Sequence, residues 1–313
     1  MVEPVTQTHD MSGVWADVLT PLKADLTLDA PRFCAHIRNL SARGVAHFTV
    51  FGFAGEGPCF SNSEKLDALS ELIKSGVSAS DLMLGVTTTA IADAVQLIKT
   101  AHALGVRRFL VAPPLHYQPI GQSAMLAFFQ QLIGQVNLPH WQLYFHQLGG
   151  VFRADVAEAT LAELRRQFPS VVTGIVDQDV HPSHTLDLMR SFGSQLIVAP
   201  TNEANLLVLK PSVTLSAMAN LMPVVIKHIL ANDLPVQTTK ISGMKVKSPD
   251  DRVTELRTIM GEQPLVASLK LFLSMHYRQT EWEWVRPPLM RISKDGREAL
   301  MKAFKNFNLL ASE

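Results

Sequence analysis

Residues 82–113 read LMLGVTTTAIADAVQLIKTAHALGVRRFLVAP: an apolar run of strand length, a segment with apolar residues at helical spacing that ends at Gly105, and a second apolar run. Strand, helix and strand in that order form a βα unit whose two strands must lie parallel. The rhythm continues in both directions at a spacing of about 25 to 30 residues. Strand-like runs stand at WADVLT (15–20), AHFTVFG (46–52), WQLYFHQ (141–147), VVTGIVD (171–177) and QLIVAP (195–200), with VTLSAM (213–218) as the eighth. Amphipathic stretches such as PRFCAHIRNLSARG (31–44), SEKLDALSELIKSG (63–76) and DVAEATLAELRRQF (155–168) lie between them, and the first two end in the Gly expected of a C-cap.

Eight such units without a break in composition predict an α/β fold of the (β/α)8, or TIM barrel, type. An open dinucleotide-binding sheet is excluded, because no G-x-G-x-x-G follows the first strand. The organisation expected is a polar leader over 1–12, a barrel over 13–223 and a C-terminal helical region over 224–313. In that last region HILAND, DDRVTELRTIM (250–260), LVASLKLFLSMHY (265–277) and KDGREALMKAFKNF (294–307) read as helices, and SGMKVKSPDD (242–251) reads as a loop.

The 313 residues are 47% hydrophobic, enough for a large core, and 28 basic residues balance 28 acidic ones. A neutral chain without a basic run has no field for collecting nucleic acid, and its apolar runs are too short to span a membrane. Cys34 and Cys59, the only two cysteines, have no C-x-x-C spacing and read as buried free thiols. The leader lacks an apolar signal region, so a cytoplasmic location is expected. Neither a cofactor nor a metal is expected, and the DQDVHPSH stretch with Asp177, Asp179, His181 and His184 reads as a solvated loop.

Barrel chemistry is found at the carboxyl ends of strands, where an inward polar side chain is informative. Strand alternation puts Gln142, Tyr144 and His146 on the inner face of WQLYFHQ, and Gly174, Val176 and Gln178 on one face of the sixth strand. After the second strand, FGFAGEG (51–57) supplies a glycine-rich turn whose N–H groups can approach a ligand carboxylate, with Glu56 orienting the ligand or the backbone.

These landmarks resemble the dihydrodipicolinate synthase and N-acetylneuraminate lyase family of barrel aldolases, from Ala16 to the C-terminus. ADVLTP (16–21) is similar to the family's first strand, GFAGE (52–56) to its Gly-Thr-Thr-Gly-Glu, and APPLHYQP (112–119) to its Pro-Tyr-Tyr segment. SAMAN (216–220) with Pro223 resembles its Ser-x-x-Ala-Asn-x-x-Pro, and the tail over 286–304 resembles its last helices. The resemblance implies that Tyr144 is the catalytic tyrosine, that His116 stands where a second tyrosine relays a proton across a dimer contact, and that Phe53, Ala54, Gly55, Glu56, His146, Val176 and Ser216 line the substrate. It also implies a homo-oligomer, a dimer of dimers, acting on a small 2-oxo acid or related carbonyl compound.

The family's Schiff-base lysine is matched by Val176, which has no amine to attack a carbonyl. Its two carboxylate-binding threonines are matched by Phe53 and Ala54, and the carboxylate-binding arginine of its synthase branch by Gly149 or its neighbours, with Arg153 the nearest substitute. Lys270 matches a family lysine in the helical region and reads as helix surface, as Lys23 reads as a solvated loop lysine. Trp282 and Trp284 read as packing residues. Two functions follow: a lyase or hydratase that works without an imine, or a barrel that has lost catalysis and kept ligand binding or assembly.

Overall fold

The computed structural model describes residues 11–116, 119–149, 155–232, 249–260 and 263–306. Eight strands form one parallel sheet in the order β7-β6-β5-β4-β3-β2-β1-β8. They are β1 Gly13–Asp17, β2 His47–Val50, β3 Leu82–Val86, β4 Arg108–Val111, β5 Gln142–Gln147, β6 Val172–Asp177, β7 Ile197–Pro200 and β8 Val213–Ser216. β7 and β8 meet at the closure, where Thr214 Oγ1 donates to the Pro200 carbonyl at 2.7 Å. Every expected strand is present.

Each strand is followed by a helix on the outside: α1 Ala30–Ala42, α2 Asn62–Lys74, α3 Ile91–Ala103, α4 Gln122–Val136, α5 Glu158–Gln167, α6 Pro182–Phe192, the single turn α7 Leu206–Leu209, and α8 Pro223–Ala231. Local chemistry sets their starts. Asp29 caps α1 by accepting the Arg32 N–H, and Ser61 with Glu64 forms a reciprocal capping box on α2. HILA (228–231) is the second half of α8, a barrel helix that packs on β1 and β8, so the helical region expected from residue 224 includes the barrel's last helix; Asn232 caps it and Asp233 lies outside the described residues.

Three further helices, α9 Pro249–Met260, α10 Leu265–Tyr277 and α11 Lys294–Asn306, form the appendix. The appendix, including the segment between α10 and α11, is tied to α1, to α2 and to the loop after β7. Arg286 grips Glu64 with both ends of its guanidinium, at 2.5 and 3.1 Å, and holds that carboxyl down to about 2. Arg257 reaches the buried Glu203 at 2.8 Å, and the buried Trp282 packs on His36 of α1 at a centroid distance of 4.9 Å. Among the described residues, no helix is long and apolar enough to cross a membrane. The leader up to Asp10, the SGMKVKSPDD segment through Ser248, Tyr117 and Arg153 lie outside the described residues.

Met11, counted in the leader by composition, is buried in the barrel interior with Trp15 and Tyr144. Of the two free thiols, Cys34 is buried while Cys59 is only half-buried.

Candidate active site

Alternation along β1 puts Trp15 and Asp17 inside the barrel and Ala16 against the helices. The same rule holds on β5, where Leu143 and Phe145 join the outer core while Tyr144 joins the inner cluster. Trp15, Met83, Leu110, Ile197 and Val213 surround Tyr144 in that cluster, filling the barrel as packed side chains do in this fold. Tyr144 is fully buried, and its hydroxyl lies 3.5 Å from Gln142 Oε1, two residues toward the amino end of the strand. Its ring lies on Gly174, where a methyl would stand 2.7 Å from Tyr144 Cδ1, so only glycine fits.

One layer toward the carboxyl ends, Val176 is fully buried beside Ala199 and Leu215. His146, paired with Val176 in the ladder, places Nε2 2.9 Å from Gln178 Oε1, an acceptor that fixes the ring proton on Nε2. Burial pushes its pKa down to about 4, against the hydrogen bond to Gln178, so the ring is neutral at physiological pH. His116 is exposed on the loop beyond β4, with Nδ1 3.1 Å from Thr89 Oγ1.

The loop after β2 carries the largest departures from the sequence expectations. Phe53 is 37% exposed, whereas Ala54 and Glu56 are buried. The Ala54 N–H, expected to be offered to a ligand, donates instead to Asp17 Oδ2 at 2.8 Å. Asp17 was not anticipated as a site residue, although an acid in the apolar run WADVLT was the available signal. Burial pushes its carboxyl up to about 7; the amides of Ala54 and Gly55 pull down, nearby Glu203 adds to the rise, and the Phe53 amide pulls down. The carboxyl therefore exchanges its proton near neutral pH.

Glu56 sits at φ 57° and gives its carboxylate to the helical appendix: Lys270 Nζ donates to Oε1, and the Arg286 N–H donates to Oε2 at 2.9 Å. Lys270 is not helix surface but fully buried, with a second bond to the Trp284 carbonyl at 2.7 Å. The reason is that α10 is buried on all sides from Val266 to Ser274, as its nearly unbroken apolar composition requires. Ser216 is corrected as well. Its neighbour Leu215 faces the barrel interior, so Ser216 faces outward and donates to Glu203 Oε1 at 2.7 Å. Asp177 is not solvated either: it is fully buried, accepts from Thr185 Oγ1 at 2.6 Å and lies 3.1 Å from His184 Nδ1.

Lys23 is exposed, as expected. Lys65 of α2 is the amine that sequence reasoning missed. It is buried, bonded among the described residues only to the neutral oxygens Gly85 O and Thr87 Oγ1, and desolvation lowers its pKa to about 8. A cavity of about 430 Å³ lined by Ser12, His47 and Lys227 opens at the amino end of the barrel, opposite these groups, and the chemistry of this fold gives it no part in the site.

Eight parallel strands with the buried ionisable side chains of Asp17 and His146 near their carboxyl ends form a (β/α)8 barrel with a helical extension, an architecture whose enzymes carry their sites at that end. The chain belongs to the dihydrodipicolinate synthetase family, whose family model matches residues 10–307. It is 25% identical over 216 residues to the 4-hydroxy-tetrahydrodipicolinate synthase of Herminiimonas arsenicoxydans, covering 68% of this chain and 72% of that one. It is 21% identical over 299 residues to a 2-dehydro-3-deoxy-phosphogluconate/2-dehydro-3-deoxy-6-phosphogalactonate aldolase of Saccharolobus solfataricus, covering 93% and 94%. The crystal structure of dihydrodipicolinate synthase from Agrobacterium tumefaciens superposes with a TM-score of 0.84 at 25% identity, covering 94% of this chain and 99% of that one.

Proposed function

We propose that this family member is a lyase or hydratase that acts on a small 2-oxo acid or related carbonyl compound by proton transfer, without an imine. The observation that carries the reading is Val176, a hydrocarbon side chain fully buried inside the barrel on the sixth strand, where the family resemblance puts the Schiff-base lysine. Tyr144 and His146, which share the inner face of β5, handle the proton, with His116 at the mouth above them. A dimer of dimers is part of the same proposal, and a sedimenting monomer at micromolar concentration overturns that part.

The test pairs two measurements on the full chain. Incubation with pyruvate in deuterium oxide reads proton exchange at the methyl group, and borohydride reduction followed by intact mass reads imine formation. Exchange above the buffer rate with no pyruvyl adduct is expected. A stable adduct on any lysine, with Lys65 as the amine to watch, overturns the imine-free mechanism. In Tyr144→Phe, exchange should fall on the order of 10² to 10⁴-fold while the fold persists. If that variant loses only about 1 kcal/mol of stability and exchanges like the wild type, Tyr144 has no part in the chemistry.

A second reading, a barrel that has lost catalysis and kept ligand binding or assembly, is favoured by one observation. The Ala54 amide is already taken by Asp17. Absence of exchange in the wild type with every carbonyl compound tried selects this reading.

A further inference from the structure

The loop after β2 already holds a carboxylate, and it belongs to the protein. Asp17 Oδ2 accepts the Ala54 N–H at 2.8 Å, and the adjoining amides of Gly55 and Phe53 favour its charged form as well. Successive backbone N–H dipoles converging on one carboxylate make an anion nest. The chain is shaped for this occupant: a methyl on Gly52 would stand 2.3 Å from Asp17 Oδ1 and 3.1 Å from Thr49 Cγ2. Asp17 and Thr49 are ladder partners of β1 and β2, and both face into the barrel near its carboxyl end. Asp17 is 6% exposed and Thr49 fully buried, yet Asp17 Oδ1 and Thr49 Oγ1 have no hydrogen-bond partner among the described residues.

We infer that Asp17 is the permanent occupant of this nest, and that the site consequently selects an uncharged hydroxy-carbonyl compound over a 2-oxo acid anion, with Asp17 Oδ1 and Thr49 Oγ1 receiving the ligand's hydroxyl. The inference rests on the proposal that the carboxyl end of the barrel binds a small carbonyl compound, and it narrows the class of that compound. A ligand carboxylate finds the Ala54 amide taken, and above about pH 7, where Asp17 is ionised, it also meets that charge and, behind it, the carboxylate of Glu203. Like charges brought together in a desolvated site oppose one another strongly. A ligand hydroxyl, in contrast, donates to a buried acceptor that has no other donor among the described residues, and sites built to bind a hydroxyl discriminate well on that basis.

Hydroxyacetone and pyruvate, which share an acetyl group and differ in hydroxymethyl against carboxylate, are the two probes. Their affinities are measured at pH 8, where Asp17 is ionised, by calorimetric titration of the full-length wild type, Asp17→Ala and Asp17→Asn. The wild type should prefer hydroxyacetone by about ten-fold or more. Asp17→Ala should reverse the order, because the loop amides become available to pyruvate. Asp17→Asn, close in shape to the wild type, should narrow the preference without reversing it, and it carries the test if the alanine variant does not fold. Wild type that binds pyruvate as tightly as hydroxyacetone overturns the inference while leaving the carbonyl-ligand reading intact, as does an unchanged ratio in a folded Asp17 variant. Failure of both probes to bind the wild type and the variants overturns the broader reading and this inference with it.

Discussion

Lys270→Ala is expected to destabilise the protein by about 3–5 kcal/mol, a large fraction of the roughly 5–15 kcal/mol that holds a folded domain together. The ammonium is fully buried and is shared between the Glu56 carboxylate and the Trp284 carbonyl. Removing it leaves Glu56 charged and buried, with only the Arg286 N–H to compensate. The loss should appear as a lower urea midpoint with an unchanged slope. A double variant, Lys270→Met with Glu56→Gln, should recover most of the loss. It fills the space of the lysine with an apolar chain, removes the charge and keeps an acceptor for Arg286. A single-variant cost below about 1 kcal/mol would show that the pair is solvated and that the appendix is not anchored there.

Asp17→Asn is expected to make the protein more stable above neutral pH, by up to about 4 kcal/mol at pH 8. The native carboxyl titrates at about 7 and its ordinary value is 3.8, so the unfolded chain gives up the proton much more readily than the folded one. The sign follows from linkage. The stability associated with the protonated carboxyl is fully present below about pH 4 and is lost as pH rises through about 7. His36 and His146, both pushed down to about 4 by burial, act in the opposite direction, because as pH falls below about 6.5 the unfolded chain's rings take up protons that the buried rings refuse until about 4. The wild-type profile therefore mixes opposing slopes, and the difference between wild type and Asp17→Asn isolates the carboxyl. Denaturant unfolding at pH 5 and pH 8 checks it. A difference that does not change between those two values would mean that Asp17 stays ionised in the folded protein.

Both expectations concern residues whose roles are spread across the chain, and that separates them from what could be read in order. The βα rhythm set out from residues 82–113 placed every strand, and the apolar stretch 265–277 placed the limits of α10 to the residue, since each element depends on neighbours within a few positions. The inner row Gln142, Tyr144, His146 also followed from sequence, because a strand's alternation is fixed at period two once one face is known. Ser216 escaped that reasoning only because it was taken from motif resemblance, while its neighbour Leu215 holds the inward position.

By itself, the sequence determined that eight parallel strands form, which residues of β5 face inward, and that position 176 lacks an amine, because these follow from local periodicity and covalent structure. The tertiary structure alone decided that Lys270 meets Glu56 across 214 residues of chain, and that Asp17 rather than a ligand takes the Ala54 amide across 37. A buried charge or a buried amide must find a partner wherever folding brings one within about 3 Å, and that choice is made by the packing of distant segments, which no local pattern records.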